Sequence, residues 1–312
     1  MAQNNKKALV TGGAGFIGSH LVEALVARGY QVTVLDDLSS GKLANIEAVR
    51  PAIEFKKGSV ADFRLLREIL SGVDYVFHLA AIASVPKSID DPIASHDVNA
   101  TGTLNVLLAA RQNKVKKVIF ASSAAVYGDV ATLPVTEETV PHPLSPYAAN
   151  KLAADYYCQV FSHVYQLPTT CLRCFNVYGP RQDPKSQYAT VIPAFISTVK
   201  DGKPPVIFDD GEQTRDFIFV KDVVAAYLWA AETGMSGVFN ISHGEGITIN
   251  RLAELVIKLS GKKMKPVYRE ARAGDIKYSF ADISKARAAG YQPKYSLEAG
   301  LAETLKWFNN PR

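Results

Sequence analysis

A glycine-rich turn between a predicted strand and a predicted helix is the feature that most constrains the fold of this chain. The segment Thr11-Gly-Gly-Ala-Gly-Phe-Ile-Gly18 follows the apolar pattern Lys7–Thr11 and opens a helical pattern over about Phe16–Arg28. Glycines at these spacings permit a tight turn and let a pyrophosphate approach the backbone at a helix N-terminus. The candidate cofactor contacts in this turn are Gly12, Gly15, Phe16, Ile17 and Gly18.

The first half of the chain alternates strand and helix patterns regularly. Val/Ile/Phe-rich runs predict buried strands at Gln31–Asp36, Ile53–Lys57, Asp74–His78 and Lys117–Ala121. Helical patterns cover about 92–112 and 146–165. This alternation predicts a Rossmann-type doubly wound α/β fold, a parallel sheet with helices on both faces. We expect a dinucleotide-binding domain over 1–176 and a mainly substrate-binding α/β lobe over 177–312, with some segments returning to the sheet.

The second predicted strand ends in the acidic pair Asp36-Asp37. A carboxylate at that position accepts hydrogen bonds from the adenosine ribose and repels a 2′-phosphate, so Asp36 favours NAD over NADP. The alternative interpretation is an aspartate that only caps its loop. NAD is therefore the expected cofactor, and no metal site is expected.

Tyr147 and Lys151 are four residues apart in the predicted helix 146–165, and Ser123 follows an apolar strand pattern upstream. Residues at this spacing share one helix face, which brings the phenol and the ammonium group together. Tyrosine titrates near pH 10, so it serves as a base near neutral pH only where positive charge stabilises its phenolate. The three side chains suit proton transfer at a carbinol oxygen. The alternative is an aromatic ring packed beside a surface lysine.

Together with further motifs, these features resemble the extended short-chain dehydrogenase/reductase family over essentially the whole chain. The further motifs are His78–Ala81, Asn99-x-x-Gly102-Thr103, Ser122–Gly128 and Arg173–Pro180. Within that family the chain looks most like the nucleotide-sugar 4-epimerases. The resemblance implies Ser123 as the hydroxyl that binds the sugar, Tyr147 as the base, and Lys151 as its helper and a nicotinamide-ribose ligand.

The resemblance also implies further contacts to the cofactor and to a UDP-sugar substrate. Expected NAD contacts are Ser59, Val60, Leu79, Ala80, Ala81, Asn99 and Ser122. Expected substrate contacts are Ala83, Lys87, Asn176, Val191, Arg215, Arg272, Asp275 and Ser279. Ser59 replaces the aspartate that the family usually carries before Val60. Without the family context, Arg272 with Asp275 would be interpreted as a surface salt bridge, and His78 as a hydrogen-bonded histidine at a strand end.

The residues that follow Ser123 bear on the reaction. Related sugar dehydratases and decarboxylases carry an acid just after the Ser/Thr, whereas this chain has Ala124-Ala125. We therefore expect 4-epimerisation through a transient 4-keto sugar. Reduction of a keto-sugar or another nucleotide-sugar epimerisation is the alternative. An NAD-sensing scaffold protein is the non-enzyme alternative, and the intact Ser/Tyr/Lys set argues against it.

The position of Ser279 bears on the choice of sugar. In the epimerases that the chain resembles, a tyrosine at this position restricts the substrate to plain hexoses, and a small residue admits an N-acetyl group. Ser279 therefore predicts UDP-N-acetylglucosamine and UDP-N-acetylgalactosamine as substrates, with UDP-glucose and UDP-galactose accepted as well. The alternative is that Ser279 only caps a turn.

Composition and charge exclude other classes of protein. The net charge is +5 and the basic pairs are scattered, so no nucleic-acid partner is expected. No apolar run is long enough for a membrane span, and three cysteines cannot form a disulfide framework, so a cytoplasmic protein is expected. By resemblance, helices at about 92–112 and 146–165 would form a homodimer.

Overall fold

The computed structural model of the protein describes residues 6–183, 191–271 and 276–310. Within these residues the strands are β1 (Lys7–Thr11), β2 (Gln31–Asp36), β3 (Ile53–Lys57), β4 (Tyr75–His78), β5 (Lys117–Ser123), β6 (Thr169–Cys174), β7 (Asn176–Tyr178), β8 (Val206–Phe208), β9 (Thr214–Arg215), β10 (Phe217–Phe219), β11 (Gly237–Ile241), β12 (Ile247–Thr248) and β13 (Val267–Arg269). Seven strands form one sheet in the order β11-β6-β5-β4-β1-β2-β3. Each registered pair among β1–β6 is parallel. The predicted Rossmann-type fold is therefore confirmed.

Helices follow most of these strands. They are α1 (Phe16–Ala27), α2 (Phe63–Ile69), α3 (Val85–Asp90), α4 (Pro92–His96), α5 (Gly102–Gln112), α6 (Pro146–Val164), α7 (Val191–Lys200), α8 (Val220–Glu232), α9 (Ile249–Leu259), α10 (Ser284–Ala288) and α11 (Leu297–Asn309). A π-helical turn, Asp97–Thr101, joins α4 to α5. The helix predicted over 92–112 is therefore present, but with one widened turn. None of the described helices is long and apolar enough to cross a membrane.

The start of α6 shows how local sequence sets an element boundary. The Ser145 hydroxyl accepts a hydrogen bond from the Ala148 backbone N–H at 3.2 Å, and Pro146 stands in the first turn. A capping hydroxyl satisfies a backbone donor that the helix leaves without a partner, and proline there has no donor to lose. Tyr147 therefore enters the helix at a fixed position.

The chain divides into two compact units. One comprises Met1–Gly128, Glu137–Cys174 and Val224–Asn240. The other comprises Asp129–Thr136, Phe175–Val223 and Ile241–Arg312. The first unit contains nearly all of the seven-stranded sheet, because residues 224–240 return to it and supply most of β11.

The core of the first unit includes buried strand residues and the inward faces of α2, α5 and α6. Its members include Leu9, Val76, Val118, Cys171, Leu66, Val106, Leu107 and Phe161. Strands covered on both faces carry continuous apolar runs, which is why these strands could be predicted from sequence. Because β1, β2, β4, β5 and β6 are parallel, their carboxyl ends lie along one edge of the sheet, the usual ligand-binding edge in such folds.

The second unit contains short strand pairs. β7 pairs with β10 in parallel, β9 with β12 in antiparallel, and β8 with β13 in parallel. The predicted substrate residues Asn176 and Arg215 lie on β7 and β9.

Candidate active site

The glycine turn after β1 lies against the backbone that follows β4. Gly12 has φ +69°, and a Cβ built on it would lie 2.8 Å from the backbone nitrogen of Ala80. A Cβ on Gly18 would overlap the Gly12 carbonyl oxygen. The packing of the turn itself therefore requires glycine at both positions, and this close packing is the arrangement that the dinucleotide-binding glycine turn uses.

The first turn of α1 offers backbone donors to an anion. Gly15 is the N-cap residue, and no side chain caps the helix there. The first N–H groups of a helix have no intrahelical acceptor, and the helix dipole favours negative charge at that end. Phe16 and Ile17, both half-buried, begin this turn. Turn and helix together fit the diphosphate of a dinucleotide.

Asp36 ends β2 beside the glycine turn. Its carboxylate accepts hydrogen bonds from the backbone N–H of Ala14 at 2.9 Å and of Leu38 at 2.8 Å. Burial is the main effect on its pKa and raises it, while these two bonds lower it. The loop-capping alternative thus describes part of its role. A carboxylate has about four lone-pair positions, so two remain to accept from ribose hydroxyls.

His78 ties the end of β4 to its neighbours. Its ring nitrogens lie 2.7 Å from the Thr11 hydroxyl and 3.0 Å from the Thr103 hydroxyl. Thr103 donates its own proton to the Asn99 carbonyl at 2.6 Å, so it accepts from the histidine Nε2–H. The Thr11 oxygen accepts from the N–H groups of Leu79–Ala80. Burial lowers the pKa of His78 to about 3, so it is a neutral structural histidine.

Asn99 lies in the π-helical turn and fixes the chain that follows Leu79–Ala81. Its side-chain oxygen accepts from the Ile82 N–H at 2.8 Å, and its side-chain nitrogen donates to the Ile82 carbonyl at 3.0 Å. Asn99 therefore holds both backbone polar groups of one residue. π-Helical turns are often found at functional sites, and this one carries a predicted cofactor residue.

Ser59 and Val60 follow β3. The Ser59 hydroxyl accepts from the Ala61 N–H at 3.2 Å, as in a local turn. Val60 is buried, and a Cβ on Gly102 would lie 2.6 Å from its side chain. The glycine of the Asn99-x-x-Gly102 motif thus makes room for Val60.

Ser123, Tyr147 and Lys151 lie close together on β5 and α6. The pKa of the Tyr147 phenol responds to a hydrogen bond with the Ser123 hydroxyl. The ammonium group of Lys151 is 5.9 Å from the centre of the Tyr147 ring and donates to the Ala121 carbonyl at 2.7 Å. Strand β5 extends two residues beyond its predicted end, through the buried Ser122 to Ser123. Because Ser123 belongs to β5, the sheet fixes its position beside α6.

Burial dominates the electrostatics of this group. It raises the pKa of Tyr147, which the Ser123 hydroxyl opposes, and it lowers the pKa of Lys151 to about 8. Cys174 pairs with Ser123 in the β5–β6 register and lies in the same surroundings. Burial raises the pKa of its thiol to about 12, so it is uncharged near neutral pH. Making the Tyr147 phenolate near neutral pH therefore requires added positive charge.

The predicted substrate residues Ala83 and Lys87 belong to the segment around α3. Both are exposed, before and within α3. The hydroxyl of Ser88 accepts from the Tyr147 N–H at 3.0 Å and donates to the Val85 carbonyl at 2.6 Å. The short helix that carries Lys87 is thereby fastened to the first turn of α6.

In the second unit, Asn176, Val191 and Arg215 line one cleft of about 280 Å³. Ser279 lies next to the same strand as Arg215, since its N–H donates to the Thr214 hydroxyl at 3.4 Å. The structure thus brings four predicted substrate residues to one neighbourhood of this unit. Two more, Arg272 and Asp275, lie outside the described residues.

Sequence reasoning missed three residues of this neighbourhood. Phe208 and Gln213 line the same cleft, and Gln213 donates to the Phe208 carbonyl at 2.7 Å. Asp216 is fully buried and accepts from the N–H groups of His243, Gly244 and Ala281. Asp216 therefore organises the loops around Ser279. Adjacency to Arg215 was the only signal for it, and no pattern distinguishes Phe208 or Gln213 from core residues.

Comparison with known proteins decides the family. The model of the NAD-dependent epimerase/dehydratase family matches residues 8–242, which include every element of the glycine turn and of the Ser/Tyr/Lys group. The chain belongs to this family. Its membership confirms the resemblance, the prediction of an enzyme and NAD as the cofactor.

Members of known activity match the chain along its whole length. UDP-glucose 4-epimerase of Mycolicibacterium smegmatis is 39% identical over 97% of this chain and 99% of its own length. UDP-N-acetylglucosamine 4-epimerase from Methanobrevibacter ruminantium, solved with UDP-N-acetylmuramic acid, is 44% identical with a TM-score of 0.95, over 99% of both chains. UDP-glucose 4-epimerase of Thermus thermophilus, solved with NAD, is 37% identical with a TM-score of 0.89, over 98% of this chain and 100% of that one. All three are isomerases, the enzyme class expected here.

Proposed function

We propose that this protein is a UDP-hexose 4-epimerase that acts on UDP-N-acetylglucosamine and UDP-N-acetylgalactosamine and also on UDP-glucose and UDP-galactose. The observation that carries the proposal is the grouping of Ser123, Tyr147 and Lys151 at the end of β5. The named activities of the full-length relatives support it.

In this proposal Ser123 donates a hydrogen bond to the O4 oxygen of the sugar and Tyr147 accepts the O4 proton. The O–H and C4–H bonds break together and a C4 carbonyl forms, so the sugar is oxidised by two electrons. Bound NAD supplies the hydride acceptor and afterwards the hydride donor. Tyr147 returns its proton to O4 after the ketone has turned its other face, and the reaction is redox-neutral overall.

Lys151 supplies the positive charge that the phenolate needs. Its ammonium group is buried, and hydrogen bonding to the Ala121 carbonyl holds it in position. With its pKa at about 8, it is mostly charged at neutral pH. A cation near the phenol favours its ionised form and so acts against burial, the main influence on the pKa of Tyr147.

The turn after β5 favours epimerisation over elimination. Residues Ala124–Tyr127 form a 3₁₀ turn directly after Ser123, and its first two side chains are methyl groups. Neither methyl group can remove a second proton from the sugar or protonate a leaving hydroxyl. Reduction of a keto-sugar needs only the Ser/Tyr/Lys set and is the second candidate, because the same geometry serves it.

The cleft in the second unit suits a nucleoside diphosphate. Arg215 offers a guanidinium group to phosphate, and Asn176 offers an amide whose nitrogen also donates to the Asp216 carbonyl at 3.1 Å. The aromatic ring of Phe208 offers a flat apolar face for a base. Ser279, half-buried beside Thr214, presents a small side chain and supports acceptance of an N-acetyl group.

The test compares wild type with Tyr147→Phe on the four UDP-sugars, without added reductant. We expect wild type to interconvert both pairs and Tyr147→Phe to lose about 10²- to 10⁴-fold in kcat with little change in NAD affinity. Tyr156→Phe, an exposed tyrosine on the same helix, is the matched control and should keep wild-type rates. A wild type that converts none of the four sugars contradicts the proposal. In a separate assay with added NADH and a 4-keto UDP-sugar, steady consumption of NADH would identify a reductase.

A homodimer is part of the proposal. Ile89, Ile93, Val160 and Val164 of α3, α4 and α6 expose 60%, 74%, 47% and 58% of their surface. Exposed apolar residues concentrated on neighbouring helices are typical of an interface between copies.

Light scattering tests the dimer. Val160→Asp should convert a dimer to a monomer, whereas Val140→Asp, a change at an exposed valine outside these helices, should not. A wild type that is monomeric at micromolar concentration would refute this part alone.

A further inference from the structure

A buried ion pair lies one helical turn beyond Lys151. Asp155 follows Lys151 by four residues on α6, and its carboxylate accepts from Nε of Arg173 on β6 at 2.8 Å. The two side chains are 0% and 4% exposed. Residues four apart share a helix face, so the carboxylate lies on the same face of α6 as the ammonium group.

The ion pair is connected to the elements that carry Ser123 and Lys151. The Arg173 guanidinium group lies 4.8 Å over the ring of Tyr127, the last residue of the 3₁₀ turn after Ser123. The Tyr127 hydroxyl donates to Asn240 on β11 at 2.7 Å. The pair therefore joins α6, β6, β11 and the turn that follows β5.

Stability alone does not explain such a pair. Removing two charges from water costs several kcal/mol per ion, and replacing a whole buried pair by apolar residues is often neutral or stabilising. Both partners here are enclosed in the core of the first unit. A role in the neighbouring site is a better explanation for an arrangement that folding by itself does not require.

The groups that face Lys151 leave Asp155 as its source of negative charge. Among residues 6–183, 191–271 and 276–310, the ionisable groups near its ammonium are Tyr147, Asp155 and Cys158 of α6, Cys174 of β6 and His78 of β4. Burial keeps Cys174 and His78 uncharged near neutral pH. Asp155 is the carboxylate among them, and its effect on the pKa of Lys151 is upward, against that of burial.

We propose that Asp155, held in place by Arg173, is a positioning residue that keeps Lys151 charged beside Tyr147. The carboxylate acts through Lys151 and does not touch the substrate. Burial raises the pKa of Asp155 itself, and the Arg173 guanidinium group is the main opposing influence. Arg173, a permanent cation at 2.8 Å, favours the ionised form of Asp155, and an ionised Asp155 in turn favours the protonated form of Lys151. The inference rests on the roles of Tyr147 and Lys151 in the proposed function.

The experiment measures the pH dependence of kcat for wild type, Asp155→Asn and Asp155→Glu. Removing the charge should move the high-pH decline in rate to lower pH by about one unit. The rate at about pH 8 then falls about fivefold more than the rate at about pH 6. Asp155→Glu keeps the charge and should restore the wild-type profile. A merely structural defect would lower the rate at both pH values equally.

Folding and specificity controls complete the test. Asp155→Asn leaves Arg173 unpaired, so the double variant Asp155→Asn/Arg173→Met, which leaves no uncompensated charge, serves where the single variant does not fold. A folded variant without the Asp155 carboxylate whose pH profile coincides with that of wild type would overturn the inference. That result differs from failure of the proposed function, in which wild type itself converts no UDP-sugar.

Discussion

Replacing Gly12 by alanine tests whether the glycine turn is the NAD site. The new methyl group would lie 2.8 Å from the nitrogen and 2.9 Å from the Cα of Ala80, and 3.0 Å from the carbonyl carbon of Leu79. All three are backbone atoms, so they cannot move aside as a side chain can. Gly12 also has φ +69°, where an L-residue costs about 1–2 kcal/mol. With about 1–3 kcal/mol for overpacking, the total is about 2–5 kcal/mol.

Gly202→Ala is a matched control for the backbone part of that cost. Gly202 has φ +77° and nothing lies within 4 Å of its built Cβ, so alanine there adds strain without a clash. Calorimetric titration of NAD into protein freed of nucleotide, together with thermal unfolding, separates the two effects. The folded protein carries this cost with or without NAD, so it lowers the free energy of unfolding directly. NAD affinity falls because the turn must shift to relieve the clash, which moves its backbone donors. We expect that shift to weaken NAD binding by at least about tenfold, which corresponds to about 1.4 kcal/mol of binding free energy.

Gly202→Ala should bind NAD as wild type does, and its free energy of unfolding should fall only by the cost of backbone strain. Wild-type NAD affinity in Gly12→Ala, with normal unfolding, would show that the turn has room for a side chain. It would then refute the argument that the backbone after β4 closes over this glycine. Equal loss of NAD affinity in both variants would show that the effect is not specific to the glycine turn.

Two further predictions concern pH and sugar choice. Burial lowers the pKa of His78 to about 3, so below about pH 6.5 the unfolded chain binds a proton that the folded protein does not. The free energy of unfolding should therefore fall by about 1.4 kcal/mol for each unit by which the pH is lowered from about 6.5 to about 3. Urea unfolding measures this slope, and His78→Gln should remove the part that His78 contributes. Ser279→Tyr should block the N-acetylated UDP-sugars and spare UDP-glucose in the same assay. Equal loss of activity on N-acetylated and plain UDP-sugars would reject Ser279 as a specificity residue. A pH slope that is the same in His78→Gln as in wild type would reject the account of His78.

Most of the fold of the first unit could be predicted from local patterns in the sequence. The strands at Lys7–Thr11, Gln31–Asp36 and Ile53–Lys57 match their predicted bounds, because buried parallel strands are apolar throughout and end at turn residues. The C-terminal extension of β5 to Ser123 was missed, since Ser122 and Ser123 have no apolar signature. The short strands of the second unit were not delimited, because pairs of two or three residues leave no periodic pattern.

The candidate site shows the same division. Tyr147 and Lys151 could be paired from helix spacing alone, and the glycine turn from its place between strand and helix. The Asp155–Arg173 pair joins residues 18 apart in sequence across two elements, so only the fold brings it together. Likewise the bond from Ser88 to the N–H of Tyr147 spans 59 residues and no motif announces it.

Because of the π-helical turn at Asp97–Thr101, the number of residues between α4 and α5 determines how the faces of these two helices align. Each residue of an α-helix turns the chain by about 100°, so a widened turn that holds one extra residue changes which faces of α4 and α5 align. Deleting a single residue there would restore a regular helix and rotate Ile93, and everything before it, by about a quarter of a turn. After such a deletion, the helix could not hold Asn99 against Ile82 and also keep Ile93 in its present direction. An insertion or deletion in this segment would therefore change the direction in which the surface of α4 faces, even when every other side chain is kept.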